Sequence, residues 1–112
     1  MDLFALCNDF RVRRALLILD RDPNQTVSSL ARQLKLSRSR FSHLFKGETG
    51  TSIKSYVLRR RLQKAERLLL NTGMEIKEIA YCLGYHHIPS FARAFKAQFG
   101  ITPKRYRETR HD

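Results

Sequence analysis

Two stretches of this sequence, fifty residues apart, each set a candidate base reader ahead of a lysine: His43 with Lys46, and Arg93 with Lys96. The arginine fork donates two parallel hydrogen bonds to the O6/N7 edge of guanine. A lysine further along meets phosphate, which sets register without reading sequence. Ser39, Ser42, His43 and Lys46 recur at i, i+3, i+4 and i+7, and Pro89, Ala92, Arg93 and Lys96 repeat that spacing. On a helix each set therefore shares one face. Arg60, Lys64 and Arg67 form a basic stripe at i, i+4 and i+7. Three uses are open to it: contact with phosphates between two grooves, a solvated face, or a seat on anionic lipid. Lipid binding competes with the need for the opposite, apolar face in packing.

Other chemistries find poor support. Cys82, His86 and His87 lie close together, but structural zinc needs four ligands and no second pair stands at a suitable spacing. Cys82 is read instead as a small buried hydrophobe, and His87 as a helix cap or a phosphate contact. The sequence has no P-loop, G-x-G-x-x-G, G-x-S-x-G or H-E-x-x-H. Its few acidic residues offer no paired carboxylates for acid–base work. Neither an enzyme nor a cofactor is expected.

Lysine and arginine number 22 and aspartate and glutamate 10 over 112 residues, a net charge of +12. Since 42% of residues are hydrophobic, that charge sits on a chain able to bury a core. A polyanion, above all nucleic acid, is the partner such a charge asks for. The longest apolar run, Ala15–Leu19, is too short to span a bilayer, so no membrane partner is expected. Met1–Cys7 lacks the basic start and the length of a secretory signal. With only Cys7 and Cys82 there is no disulfide scaffold, which fits a cytoplasmic protein.

These faces need helices to carry them, and helical period dominates the chain. The first helix starts after Asn8 or Asp9, buries Val12, Ala15, Leu16 and Leu19, and ends before Pro23. Thr26 caps a second with stripe Val27, Leu30, Ala31 and Leu34. Ser37 caps a third that turns Phe41, Leu44 and Phe45 inward and stops at Gly50. Ser52 opens a long fourth of about 18 residues, ~27 Å, with core stripe Leu58, Leu62, Ala65 and Leu69. A fifth carries Ile76, Ile79, Ala80 and Leu83. A sixth runs from Pro89 to Phe99, and Thr102–Pro103 opens a brief seventh.

The chain also repeats itself. At an offset of 49, Val27, Leu30, Ala31 and Leu34 fall on Ile76, Ile79, Ala80 and Leu83. At 50, Phe41, Phe45, Lys46, Gly50 and Tyr56 fall on Phe91, Phe95, Lys96, Gly100 and Tyr106, so the second turn is one residue longer. Each copy has the outline of a helix-turn-helix. The expected fold is all-α: about seven helices forming two helix-turn-helix subdomains, 8–50 and 74–108, joined by a linker helix at 52–71. A basic module that binds RNA or anionic membrane without sequence readout is the alternative, and it leaves the repeat unexplained.

The assembled residues resemble the DNA-binding domain of the AraC/XylS family of bacterial transcription regulators from about Phe10 to Arg107. The most specific stretch is Ile79–Ala80, Leu83–Gly84–Tyr85, Phe91–Lys96 and Phe99–Arg107. It is matched earlier by Leu36–Ser37, Phe41–Lys46, Thr49–Gly50, Ser52 and Tyr56, and on the long helix by Arg61–Leu62, Ala65 and Leu68–Leu69. The resemblance implies two recognition helices on one face of a single DNA-binding unit. It carries base contact over to Ser39, Ser42, His43, Ile88, Pro89, Ala92 and Arg93. Phosphate contacts are expected from Arg38, Arg40, Lys46, Arg60, Lys64, His87, Lys96 and Lys104. It further implies promoter activation through RNA polymerase in the bacterial cytoplasm, at the nucleoid, with an effector or dimerisation domain outside this chain. Ile88–Pro89 departs from the family's usual polar residues, leaving a thymine methyl or a sugar as what those side chains can meet.

Overall fold

Five side chains suited to capping each do so. The structure, a computed structural model, describes residues 3–110, and among these are eight helices and no strand. They are α1 Leu3–Leu6, α2 Phe10–Arg21, α3 Val27–Gln33, α4 Arg38–Thr49, α5 Ile53–Asn71, α6 Ile76–Cys82, α7 Ile88–Phe99 and α8 Pro103–Arg110. Asp9 accepts from the Arg11 amide (2.8 Å), and Thr26 and Ser29 close a reciprocal box at 3.0 Å each way. Ser37 accepts from Arg40 N (3.1 Å), Ser52 from Ser55 N (3.1 Å) and Thr102 from Arg105 N (3.3 Å). Such bonds satisfy donors that a helix start otherwise leaves open. Gly50 and Gly100 end α4 and α7 in the left-handed region, at φ 77° and 88°. Met1 and Asp2, part of the segment without a signal pattern, lie outside the described residues.

The chain divides into two compact units, Met1–Arg60 and Arg61–Asp112, with the division inside α5. The first core gathers Val12, Ala15, Leu16, Leu19, Leu30, Ala31, Phe41 and Phe45 with Ile53 and Val57 from the start of α5. The second gathers Leu62, Ala65 and Leu69 from the rest of α5 with Ile79, Ala80, Leu83, Phe91, Phe95 and Tyr106. Burial of each such large side chain contributes about 1.5–3 kcal/mol. The phenylalanine pairs match closely, with Phe41–Phe45 centroids 6.1 Å apart and Phe91–Phe95 centroids 6.0 Å apart.

Three expectations need correction. Leu58 is not on the core stripe of the long helix and is 40% exposed. No single stripe runs through the helix, because its two halves serve different cores, the first through Ile53 and Val57. Cys82 is exposed, because Ile79 and Ala80 take the inner side of the seven-residue α6 and Leu83 is buried at its C-cap. Finally, α1 precedes the seven helices expected. Leu3 and Phe4 pack it on the first core, and the Arg13 guanidinium, donating to the Cys7 carbonyl at 2.7 Å, lies over the Phe4 ring.

The repeat is wider than the helix-turn-helix. At the same offset of 50, Arg11, Val12, Ala15 and Leu19 of α2 fall on Arg61, Leu62, Ala65 and Leu69 of α5. Ile53 and Tyr56 of α5 fall on Pro103 and Tyr106 of α8. Each copy is thus four helical segments, and α5 serves as the last of one and the first of the next.

Candidate nucleic-acid interface

The two turns are built with the same bonds. In the first, Leu34 N donates to Leu30 O (3.1 Å), Lys35 N to Arg32 O (3.1 Å) and Leu36 N to Ala31 O (3.0 Å). In the second, Leu83 N donates to Ile79 O (3.1 Å), Gly84 N to Tyr81 O (3.0 Å) and Tyr85 N to Ala80 O (3.0 Å). Both turns need a left-handed residue. The second uses Gly84 at φ 87°, the first Lys35 at φ 59°. His86 is the extra residue before the helix cap, which is Ser37 in the first unit and His87 in the second.

On α4, Arg38, Ser39, Arg40, His43 and Lys46 are exposed, and Ser42 is half-buried. On α7, Pro89, Ser90, Arg93 and Lys96 are exposed, and Ala92 is half-buried. Each helix thereby turns its phenylalanines into its own core and presents a polar and basic strip on the other side. Ile88 is half-buried and packs on the second core. Lys104, on α8, is exposed.

Several cationic groups are already engaged. Arg60 forms an ion pair with Asp20, so a phosphate there has a carboxylate to displace; Lys64 is half-buried. Arg107 donates to the carbonyls of Leu69 (3.0 Å), Met74 (2.6 Å) and Thr72 (3.3 Å), closing the end of α5. His87 caps nothing with its ring; Nδ1 lies 2.8 Å from Ser90 Oγ. Ser90, absent from the sequence expectations, stands where α4 has Arg40, and aligning the copies at an offset of 50 was the signal for it. Among the described residues no three His, Cys, Asp or Glu side chains are placed to hold a metal, and no helix is long and apolar enough to cross a membrane.

Perturbed acidities support the frame around these strips. Hydrogen bonds from Arg11 hold the Asp9 carboxyl below its ordinary range. Burial pushes the Tyr85 phenol up, opposed by Arg61. The hydrogen bond from Tyr106 to Glu66 raises the Tyr106 phenol.

Paired helix-turn-helix units with exposed basic strips on their second helices define a nucleic-acid-binding class. A helix-turn-helix domain model matches residues 30–109, and the chain belongs to the AraC family of transcription regulators. It is similar to the Msm operon regulatory protein of Streptococcus mutans, 37% identical over 82 residues, covering 73% of this chain and 30% of that protein. It is also similar to the transcriptional activator RclR of Escherichia coli, 37% identical over 83 residues, covering 74% and 29%. The solved C-terminal domain of AraT, a response regulator from Geobacillus stearothermophilus, is 36% identical, with a TM-score of 0.85 over 93% of this chain and 88% of that one. These proteins are regulators rather than enzymes. The chain spans about a third of the length of the curated relatives it matches.

Proposed function

We propose that the chain is the DNA-reading part of a bacterial promoter activator. In this reading α4 and α7 enter successive major grooves of one duplex. His43 and Arg93 read bases, with Ser39, Ser42, Pro89 and Ala92 beside them. Arg38, Arg40, Lys46, His87, Lys96 and Lys104 hold phosphates. RNA polymerase is the partner at the promoter, and an effector or dimerisation domain belongs to the remainder of a longer regulator working in the cytoplasm. The observation that carries the reading is the duplicated strip: two helices with the same buried phenylalanines differ in what they expose, His43 against Arg93. Two different readers suit a site with two different halves.

Selection of bound sequences from a random duplex pool, followed by competition, tests it. A specific reader prefers its selected duplex over bulk DNA by ~10³-fold or more. Equal affinity for every duplex, for RNA and for anionic vesicles would replace this reading with a basic module that has no sequence readout.

A further inference from the structure

The two copies differ where the turn meets the second helix, and in the first unit a groove lies there. In the second unit Tyr85 follows the turn, its ring packed on Phe91 at 5.4 Å between centroids, with the Arg61 charge opposing the rise that burial gives its phenol. Arg11 is the counterpart of Arg61, and Leu36 that of Tyr85, its amide making the same bond in the turn at the same 3.0 Å. Leucine supplies neither ring nor hydroxyl. Beside it a groove of about 310 Å³ runs along α4, lined by Arg11, Leu36, Ser39, Arg40, His43 and Leu44. Asp9 binds Nε and Nη2 of Arg11 at 3.3 and 3.0 Å, which fixes the guanidinium with Nη1 outside that pair.

We propose that this groove is a binding site for a small phenol, the free counterpart of the Tyr85 side chain that packs at the equivalent place in the second unit. The ring lies against Leu36 and Leu44, and the hydroxyl oxygen accepts from Arg11. Apolar walls with one fixed polar anchor are what a small-molecule site requires. Because Ser39, Arg40 and His43 line the groove and also stand on the exposed strip of α4, an occupant competes with a duplex for that strip. This competition rests on the DNA reading above; the site itself does not.

The probe is p-cresol, which is the tyrosine side chain as a molecule, titrated into the whole chain and followed by backbone amide shifts. Binding is expected at a dissociation constant on the order of 1 mM, moving the amides of Leu36, Ser39 and Leu44. Their counterparts Tyr85, Pro89 and Ala94 serve as a control inside the same chain, through Tyr85 and Ala94. Leu36→Tyr, which rebuilds the second unit's packing, should weaken binding at least tenfold. Toluene, without the hydroxyl, should bind about tenfold more weakly than p-cresol, and Arg11→Met should erase that preference, which decides the matter should Leu36→Tyr not fold. Shifts spread evenly over both units, or a p-cresol preference that survives Arg11→Met, would overturn the proposal. Saturating p-cresol should also weaken binding of a selected duplex several-fold; unchanged duplex affinity with the groove filled would reject the competition. If p-cresol fills the groove and no duplex is bound specifically, the DNA reading falls and the groove assignment stands.

Discussion

Arg93 and His43 hold equivalent positions, yet the chemistry of their side chains differs. Loss of the fork in Arg93→Ala should cost roughly 1–3 kcal/mol of binding and relax preference at one base pair. His43→Ala should cost less, since an imidazole has no fork of parallel donors. Lys96→Ala should weaken all duplexes alike and lower the salt slope by about one. Binding measured across a set of single-base variants separates these cases, and a uniform loss for Arg93→Ala would make it one more phosphate anchor. The left-handed turn residues give a prediction about folding. No atom lies within 4 Å of a Cβ added at Gly84, so Gly84→Ala tests backbone conformation alone and should destabilise by about 1 kcal/mol. Lys35→Gly should stabilise by about 0.5 kcal/mol, since relief of strain is partly offset by the entropy of the unfolded glycine. Denaturant midpoints with unchanged slopes check both. Period alone made the exposed strips legible in the sequence. It did not reveal that Ile88 leans on the core or that Asp20 already holds Arg60, because packing and pairing across 40 residues leave no local trace.

At the scale of the element, caps and stops were the most legible feature, because each is a local bond between neighbours. Asp9, Thr26, Ser37, Ser52 and Thr102 all begin helices as their side chains predict. The four-residue α1 was not legible, since one turn contains no period, and Leu58 misled because a long helix serving two cores has no single stripe. The start of α2 carries a pH dependence. The Asp9 carboxyl sits below its ordinary range when folded, chiefly through its hydrogen bonds from Arg11. Its stabilisation is therefore present above the unfolded pKa and is lost as pH falls through the lowered folded value. Asp9→Asn keeps a capping oxygen and removes the charge. It should be less stable than the parent by about 0.5 kcal/mol at neutral pH, a partly exposed pair being screened. That gap should close below about pH 4. Thermal melts across pH 2–7 (roughly the carboxylate range) check this, and a constant gap would place the effect in geometry rather than charge.

For the whole molecule, the 22 lysines and arginines set an upper limit on phosphate neutralisation, and internal contacts reduce it. Arg11, Arg13, Arg60 and Arg107 have partners in the fold. If about eight lysines and arginines reach phosphate, the log–log salt slope should be near −7. A slope shallower than about −3 would mean that most of the charge faces elsewhere. The footprint should cover two successive major grooves ~10 bp apart, on a non-palindromic site occupied by one chain. Protection of a strict palindrome only by a symmetric pair of chains would reject this.

The sharing of α5 bears on how such a reader is lengthened. Ile53–Arg60, its first part, corresponds at an offset of 50 to the whole of α8, Pro103–Arg110. The chain is therefore a tandem array with a fifty-residue period, and α8 ends at the register where α5 passes from one copy to the next. A synthetic gene that follows Arg110 directly with another copy of residues 61–110 would turn α8 into a second α5 and add a third reading head without a designed linker. A library of such segments, varied only at the positions of Pro89, Ser90, Arg93 and Lys96, would be a modular alphabet in which the joint is already a helix.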